Sequence, residues 1–227
     1  MAKIAFFDLD KTLISANSAH VWLRQQWEAK QISLKEIIQL SIGLLRYRLG
    51  LLSSADDMQA AVLRLKGVSQ QSLGAHVQAF YERHIRQLYR PGALEAIKEH
   101  QKQNHRLALL TSSPSLLANL VAAELSFQDC LSTEFEVSDQ GIFTGQTRGP
   151  LCFGAGKLVK AKAHAETLGV PLSDCIFYTD SVTDLPVLEA MGLPVAVNPD
   201  WRLKRAAARR HWKIVDWGQP PQILKGR

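Results

Sequence analysis

Four short apolar runs in this chain each end in a polar group. KIAFF (3–7) leads into Asp8, Asp10 and Thr12, and RLALL (106–110) into Thr111 and Ser112. CIFY (175–178) leads into Asp180 and Asp184, and PVAV (194–197) into Asn198 and Asp200. Runs of this length, apolar and free of turn residues, read as buried strands. Helical patterns at 92–103, 115–125, 154–168 and 184–191 alternate with them. Strands alternating with helices of this length specify an α/β fold with a doubly wound parallel sheet. Two further β runs within 131–147 flank Asp139-Gln140-Gly141, a hairpin signal.

One stretch departs from the alternation. From 17 to 89 there are no strand-like runs and no Pro. Helical periodicity dominates, through Val21 and Trp22, Ile37, Ile38, Ile42 and Leu45, Met58, Val62 and Leu65, then Val77, Phe80 and Tyr81. The block is too long for a crossover and too uniform for a loop. It predicts an inserted α-helical cap domain of about four helices over 15–88, with a core domain of 1–14 and 89–227.

At 227 residues with 46% hydrophobic and 21% charged, the chain has ordinary globular composition, which excludes disordered and fibrous classes. Three widely spaced cysteines, Cys130, Cys152 and Cys175, form neither a disulfide framework nor a zinc motif, and a reducing cytosol fits them. The N-terminal run is too short for a signal peptide, and IIQLSIGLL (37–45) is too short to span a membrane. The expectation is a cytoplasmic protein with no membrane partner. The net charge of +6 equals the six Lys and Arg of WRLKRAAARRHWK (201–213), a segment without acids. We read it as a solvated helix face near the C-terminus, so no nucleic-acid partner is expected.

In open α/β sheets, ligands bind beyond the C-terminal ends of the strands, near the switch in strand order. If the four strands are neighbours, Asp8, Asp10, Asp180 and Asp184 converge there. Crowded carboxylates repel, a hard cation relieves them, and oxygen-only ligands suit Mg²⁺. Thr111 and the N–H groups after it, at a helix N-terminus, would cradle an anion. Lys157, after Gly154-Ala155-Gly156, is a candidate point charge for phosphate, with Lys160 and Lys162 as rivals. The segment is not a Walker A loop, because Leu151 and Leu158 stand where Gly and Ser/Thr are required.

Taken together, DLDKT (8–12), LLTSS (109–113), GAGK (154–157), TDSVTD (179–184) and PVAVNPD (194–200) resemble the haloacid dehalogenase superfamily, in its phosphoserine-phosphatase-like branch. The match runs from residue 3 to about 200. The resemblance implies a Rossmann-like core with a cap and a Mg²⁺-dependent phosphatase acting on a small phosphorylated metabolite. It implies that Asp8 is the nucleophile and forms an aspartyl-phosphate, and that Asp10 is the general acid and then base. Asp8, Asp180 and the Asp10 backbone carbonyl would ligate Mg²⁺, with Asp184 supporting. Thr111, Ser112 and Lys157 would hold the phosphoryl oxygens. Asn17 stands at the cap entrance, where phosphoserine phosphatases carry a Glu for the substrate ammonium. Those enzymes also tend to have Gly-Gly where this chain has Ser112-Ser113. Two alternatives remain: a phosphotransferase or mutase sharing the intermediate, and a binding protein acting through 201–213 on nucleic acid or membrane.

Overall fold

The computed structural model describes residues 3–29 and 62–220. Its centre is a six-stranded parallel sheet of β1 (Ile4–Phe7), β2 (Arg106–Pro114), β3 (Asp129–Thr133), β6 (Ile176–Thr179), β7 (Leu193–Val197) and β8 (Lys213–Val215). The order is β3-β2-β1-β6-β7-β8, and every neighbouring pair is parallel. From β1 the chain first builds outward through β2 and β3, then returns to start again at β6. The order therefore reverses between β1 and β6, the two strands that carry Asp8 and Asp180.

Alternation along β1 divides the core. Ala5 and Phe7 face one layer with α3 (Pro91–Lys102) and α4 (Ser115–Glu124). Ile4 and Phe6 face the other, with α5 (Ala155–Thr167), α6 (Leu185–Ala190) and α7 (Trp201–Arg209). All four β1 side chains are wholly buried, as expected of a strand covered on both faces.

β4 (Phe135–Val137) and β5 (Phe143–Thr147) pair as an antiparallel hairpin. It turns at the expected Asp139-Gln140-Gly141, while the start of the 131–147 region, 131–133, belongs to β3, which pairs with β2. β8 has no counterpart in the sequence reading. It is short, carries a Lys and lies at the sheet edge.

Helices α1 (Ser18–Glu28) and α2 (Gln70–Phe80) fall in the stretch between β1 and β2. Trp22 of α1 packs edge-on to Phe80 of α2 at 4.9 Å. The two passages joining these helices to the sheet run side by side: Ile14 bridges Tyr89, Ser15 N–H donates to Leu88, and Arg90 N–H to Leu13. The helical pattern at Ile37, Ile38, Ile42, Leu45 and Met58, and the run 37–45, lie outside the described residues. Among the described residues no helix is long and apolar enough to cross a membrane.

The basic segment forms α7, with Leu203 and Ala207 buried and Lys204, Arg205 and Arg209 exposed. Asp200 caps it, accepting the N–H groups of Arg202 and Leu203 at 2.9 and 2.8 Å.

Candidate active site

Asp8 follows directly on β1, and its N–H donates to Tyr178 of β6 at 2.9 Å. The chain then turns sharply. Asp10 is extended (φ −65°, ψ 127°) and Lys11 left-handed (φ 60°), so the two carboxylates leave the strand end towards one recess. Asp8, Asp10, Asn17, Ser112, Lys157, Asp180 and Asp184 all line it, together with Lys11, Phe153, Ser181 and Thr183.

Lys157 is delivered by the start of α5. Gly154 precedes the helix at φ 49°, ψ −121°, a conformation that essentially only glycine adopts. At Gly156 a Cβ would lie 2.0 Å from the Leu151 carbonyl oxygen. The two glycines thus serve the backbone, and the Lys that follows is only 2% exposed. Its ammonium lies 3.0 Å from Asp8 Oδ1 and 2.8 Å from Asp184 Oδ2. Burial opposes its charge, but Asp184 and Asp8 outweigh burial and hold it above the usual lysine range. Lys162 instead is exposed and reaches Glu166, and Lys160 is half-buried elsewhere on the helix.

Burial, with Asp184 and Asp10 adding repulsion against the pull of Lys157, raises Asp8 to about 7. Burial also raises Asp10, against hydrogen bonds from Ser18 and Ser113. Asp184 Oδ2 accepts the Thr179 hydroxyl at 2.7 Å as well as Lys157. Its Oδ1 is buried with no hydrogen-bond partner among the described residues. Four carboxylates on one recess, two of them on a buried ammonium and one with an orphaned oxygen, form a donor set that fits a hard divalent cation. Among the described residues no three His, Cys, Asp or Glu side chains are already gathered around a metal position. Lys157 stands between Asp8 and Asp184.

One sequence expectation needs correction. Thr111 is not at a helix N-terminus: β2 continues through Pro114 and α4 begins at Ser115. Thr111 is 1% exposed and accepts the N–H of Ser113 at 3.1 Å, while Ser112 faces the recess. Asp200, the last of the strand-end polar groups, is an anchor. Besides capping α7 it accepts Val182 N–H at 3.1 Å, and its own N–H donates to Asp180 at 2.9 Å. Asn17 caps α1 by accepting His20 N–H at 3.0 Å, and its amide nitrogen lies 3.5 Å from Asp10.

Sequence reasoning does not single out Thr179 or Ser113 for the site, nor a partner for Ser18. Thr179 is legible as the residue beside Asp180. Ser113 is legible only as the residue two beyond Thr111 on the same strand face.

A family model described as haloacid dehalogenase-like hydrolase matches residues 5–189. Phosphoserine phosphatase SerB1 of Mycobacterium tuberculosis is 30% identical over 217 residues, covering 94% of this chain and 70% of the relative. A histidinol-phosphatase of Neisseria meningitidis is 25% identical, over 96% of this chain and all of the relative. A solved structure of a protein of unknown function from Bordetella pertussis Tohama I superposes with a TM-score of 0.84 at 28% identity, over 96% of this chain and 100% of that one. With Asp8, Asp10, Lys157, Asp180 and Asp184 all inside the matched span, the chain belongs to the haloacid dehalogenase-like hydrolases.

Proposed function

We propose that this protein, a phosphoric monoester hydrolase, dephosphorylates a small cytosolic metabolite through an aspartyl-phosphate on Asp8, with Mg²⁺ as its metal. The observation that carries the reading is the Asp8 carboxylate at a strand end, 3.0 Å from a buried lysine, with Asp10 on the same recess.

An Asp8 oxygen attacks phosphorus, and the bond from phosphorus to the ester oxygen breaks. Asp10 gives its proton to the departing oxygen. Asp10, now a carboxylate, takes a proton from water as that water attacks the phosphorus of the aspartyl-phosphate. Inorganic phosphate leaves and Asp8 is regenerated. Lys157 balances charge on the phosphoryl oxygens, and Ser112 lies on the recess where it can donate to them. Thr111 supports this end of β2 by accepting the Ser113 N–H. Asp8, Asp180 and the Asp10 carbonyl would hold Mg²⁺, with Asp184 supporting, and the ion would supply further charge neutralisation. The segment 15–88 acts as the cap that selects substrate over a core of 1–14 and 89–227.

The relatives' names point to phosphoserine and histidinol phosphate, both amine-bearing. Here Asn17 is neutral and its carbonyl oxygen is spent on the α1 cap. That favours a phosphomonoester recognised without an ammonium contact at this position.

The test is phosphate release from a panel of phosphomonoesters, with Mg²⁺ and with EDTA. Release should require the metal, and Asp8→Asn should reduce it by more than about a thousandfold, the scale of removing a nucleophile. Substantial turnover by a folded Asp8→Asn enzyme would overturn the nucleophile assignment. Phosphorylated product on an added alcohol, in place of free phosphate, would make it a phosphotransferase.

A further inference from the structure

The Asp10 carboxylate is held at both oxygens. Oδ1 accepts the backbone N–H of Ser18 at 2.8 Å, and Oδ2 accepts the Ser113 hydroxyl at 3.2 Å. The Asn17 amide approaches Oδ2 only to 3.5 Å. The Ser113 and Ser18 hydroxyls are 3.4 Å apart, and each residue is 4% exposed. Ser113 reaches this point because β2 runs past Thr111, with a register shift against β3 between Leu110 and Pro114. Strand alternation then turns Thr111 and Ser113 inward and Ser112 to the recess. A hydroxyl has one proton and two lone pairs. Ser113 spends its proton on Asp10, so it can accept the proton of Ser18. The pair of hydroxyls thus joins the start of α1 and the end of β2 at Asp10.

We propose that Ser113 is a positioning residue for Asp10, and that Ser18 supports it. The inference rests on the reading of Asp10 as general acid. A carboxylate anchored at one oxygen can swing about its Cβ–Cγ bond, whose torsional wells are broad. A second anchor fixes the carboxyl plane, and with it the direction in which the proton is offered. Misplacement of a reacting group by about 1 Å costs on the order of a hundredfold in rate. Ser113 acts through Asp10 and does not itself line the recess.

The leaving group separates positioning from mere stability. p-Nitrophenolate departs without a proton, whereas an alkoxide needs one. The quantity to compare is kcat/KM for p-nitrophenyl phosphate and for an alkyl phosphate, since it spans the steps up to departure and leaves out the later attack of water. Ser113→Ala should lower the alkyl value by about tenfold to a hundredfold and the aryl value by less than about threefold. Ser113→Thr, which keeps the hydroxyl, should stay near wild type on both. Asp10→Asn calibrates the assay with a steep loss on the alkyl ester. If Asp10→Asn is selective but Ser113→Ala lowers both esters equally, or neither, Ser113 does not position the acid. If Asp10→Asn spares the alkyl ester, the acid reading falls and takes this proposal with it. Should Ser113→Ala not fold, Ser113→Gly removes the same bond to Asp10 and decides the matter by the same comparison, while Ser18→Ala, which leaves that bond in place, should give a smaller loss on the alkyl ester.

Discussion

Taking an ammonium out of water without a counter-charge costs several kcal/mol, and Lys157 avoids that cost with two carboxylates within 3.0 Å. The converse also holds: Asp8 and Asp184 are tolerable underground only because Lys157 is there. Lys157→Ala should therefore destabilise the fold by about 3–5 kcal/mol, beyond its effect on turnover. Adding Asp184→Asn to that background removes one stranded charge, and should restore at least about 1 kcal/mol. Urea unfolding of the two variants measures both numbers. A second substitution that only deepens the loss would mean that lost packing, and not the uncompensated carboxylate, dominates. The same reasoning explains why Lys157 needs two glycines before it. Gly156 lets the α5 backbone pass the Leu151 carbonyl, and Gly154 makes a turn that side chains resist.

Helix α3 sits under β1 and β6 and presents His100 to their aromatic side chains. His100 bonds the Tyr178 hydroxyl at 2.8 Å and His105 at 2.7 Å, and meets Phe7 edge-on at 5.8 Å. Burial, then repulsion from His105, lowers its pKa from 6.5 to about 4, against a small pull from Glu99. A lowered folded pKa means that the unfolded chain binds the extra proton first. The contribution is whole above about pH 6.5 and is lost as pH falls towards 4, amounting to about 2 kcal/mol between pH 7.5 and pH 5. Asp8, raised to about 7, acts in the opposite sense over the same interval in both proteins and cancels in a comparison, so the stability of the wild type relative to His100→Gln in urea should fall by about 2 kcal/mol between pH 7.5 and pH 5; a constant difference would assign the loss to other groups. Nothing in the sequence pattern around EHQKQNHR marks this contact, because it is made to a residue 78 positions away. That is the general division here. Strand-end acids such as Asp8 and Asp180 were legible because pattern and position put them at the C-terminal ends of strands. β8, the pairing of β3 with β2 and the Ser113 bond were not, because each depends on which distant strand or loop arrives beside it. The extension of β2 past Thr111 was hidden by Ser and Pro, which read as a loop.

At the scale of the whole molecule, the C-terminal segment returns beneath the loop that begins the site. Trp217 is 8% exposed, lies against Tyr178 at 5.1 Å and Phe7 at 6.2 Å, and accepts Gly92 N–H at its carbonyl. A Cβ on Gly92 would lie 2.6 Å from the indole, so the second residue of α3 is glycine where this ring crosses it. Arg90, itself buried, donates to the carbonyls of Lys11 and Gly218, tying the turn after Asp10 to the same segment. β1, α3 and the residues after β8 thus share one aromatic layer, and stability lost at the chain's end is felt at its beginning. Trp217→Ala should cost about 3–5 kcal/mol, as for other buried aromatics. In a chain of this size that is a fall in melting temperature of at least about 6 °C. Arg90 then loses the ordered segment that holds Gly218, and the Lys11 carbonyl loses a well-placed donor. Turnover below the melting point should therefore fall as well. A melting point within about 2 °C of wild type would show that the segment only rests on the core. A lowered melting point with full turnover would show that the turn carrying Asp10 holds its shape without Arg90's second anchor.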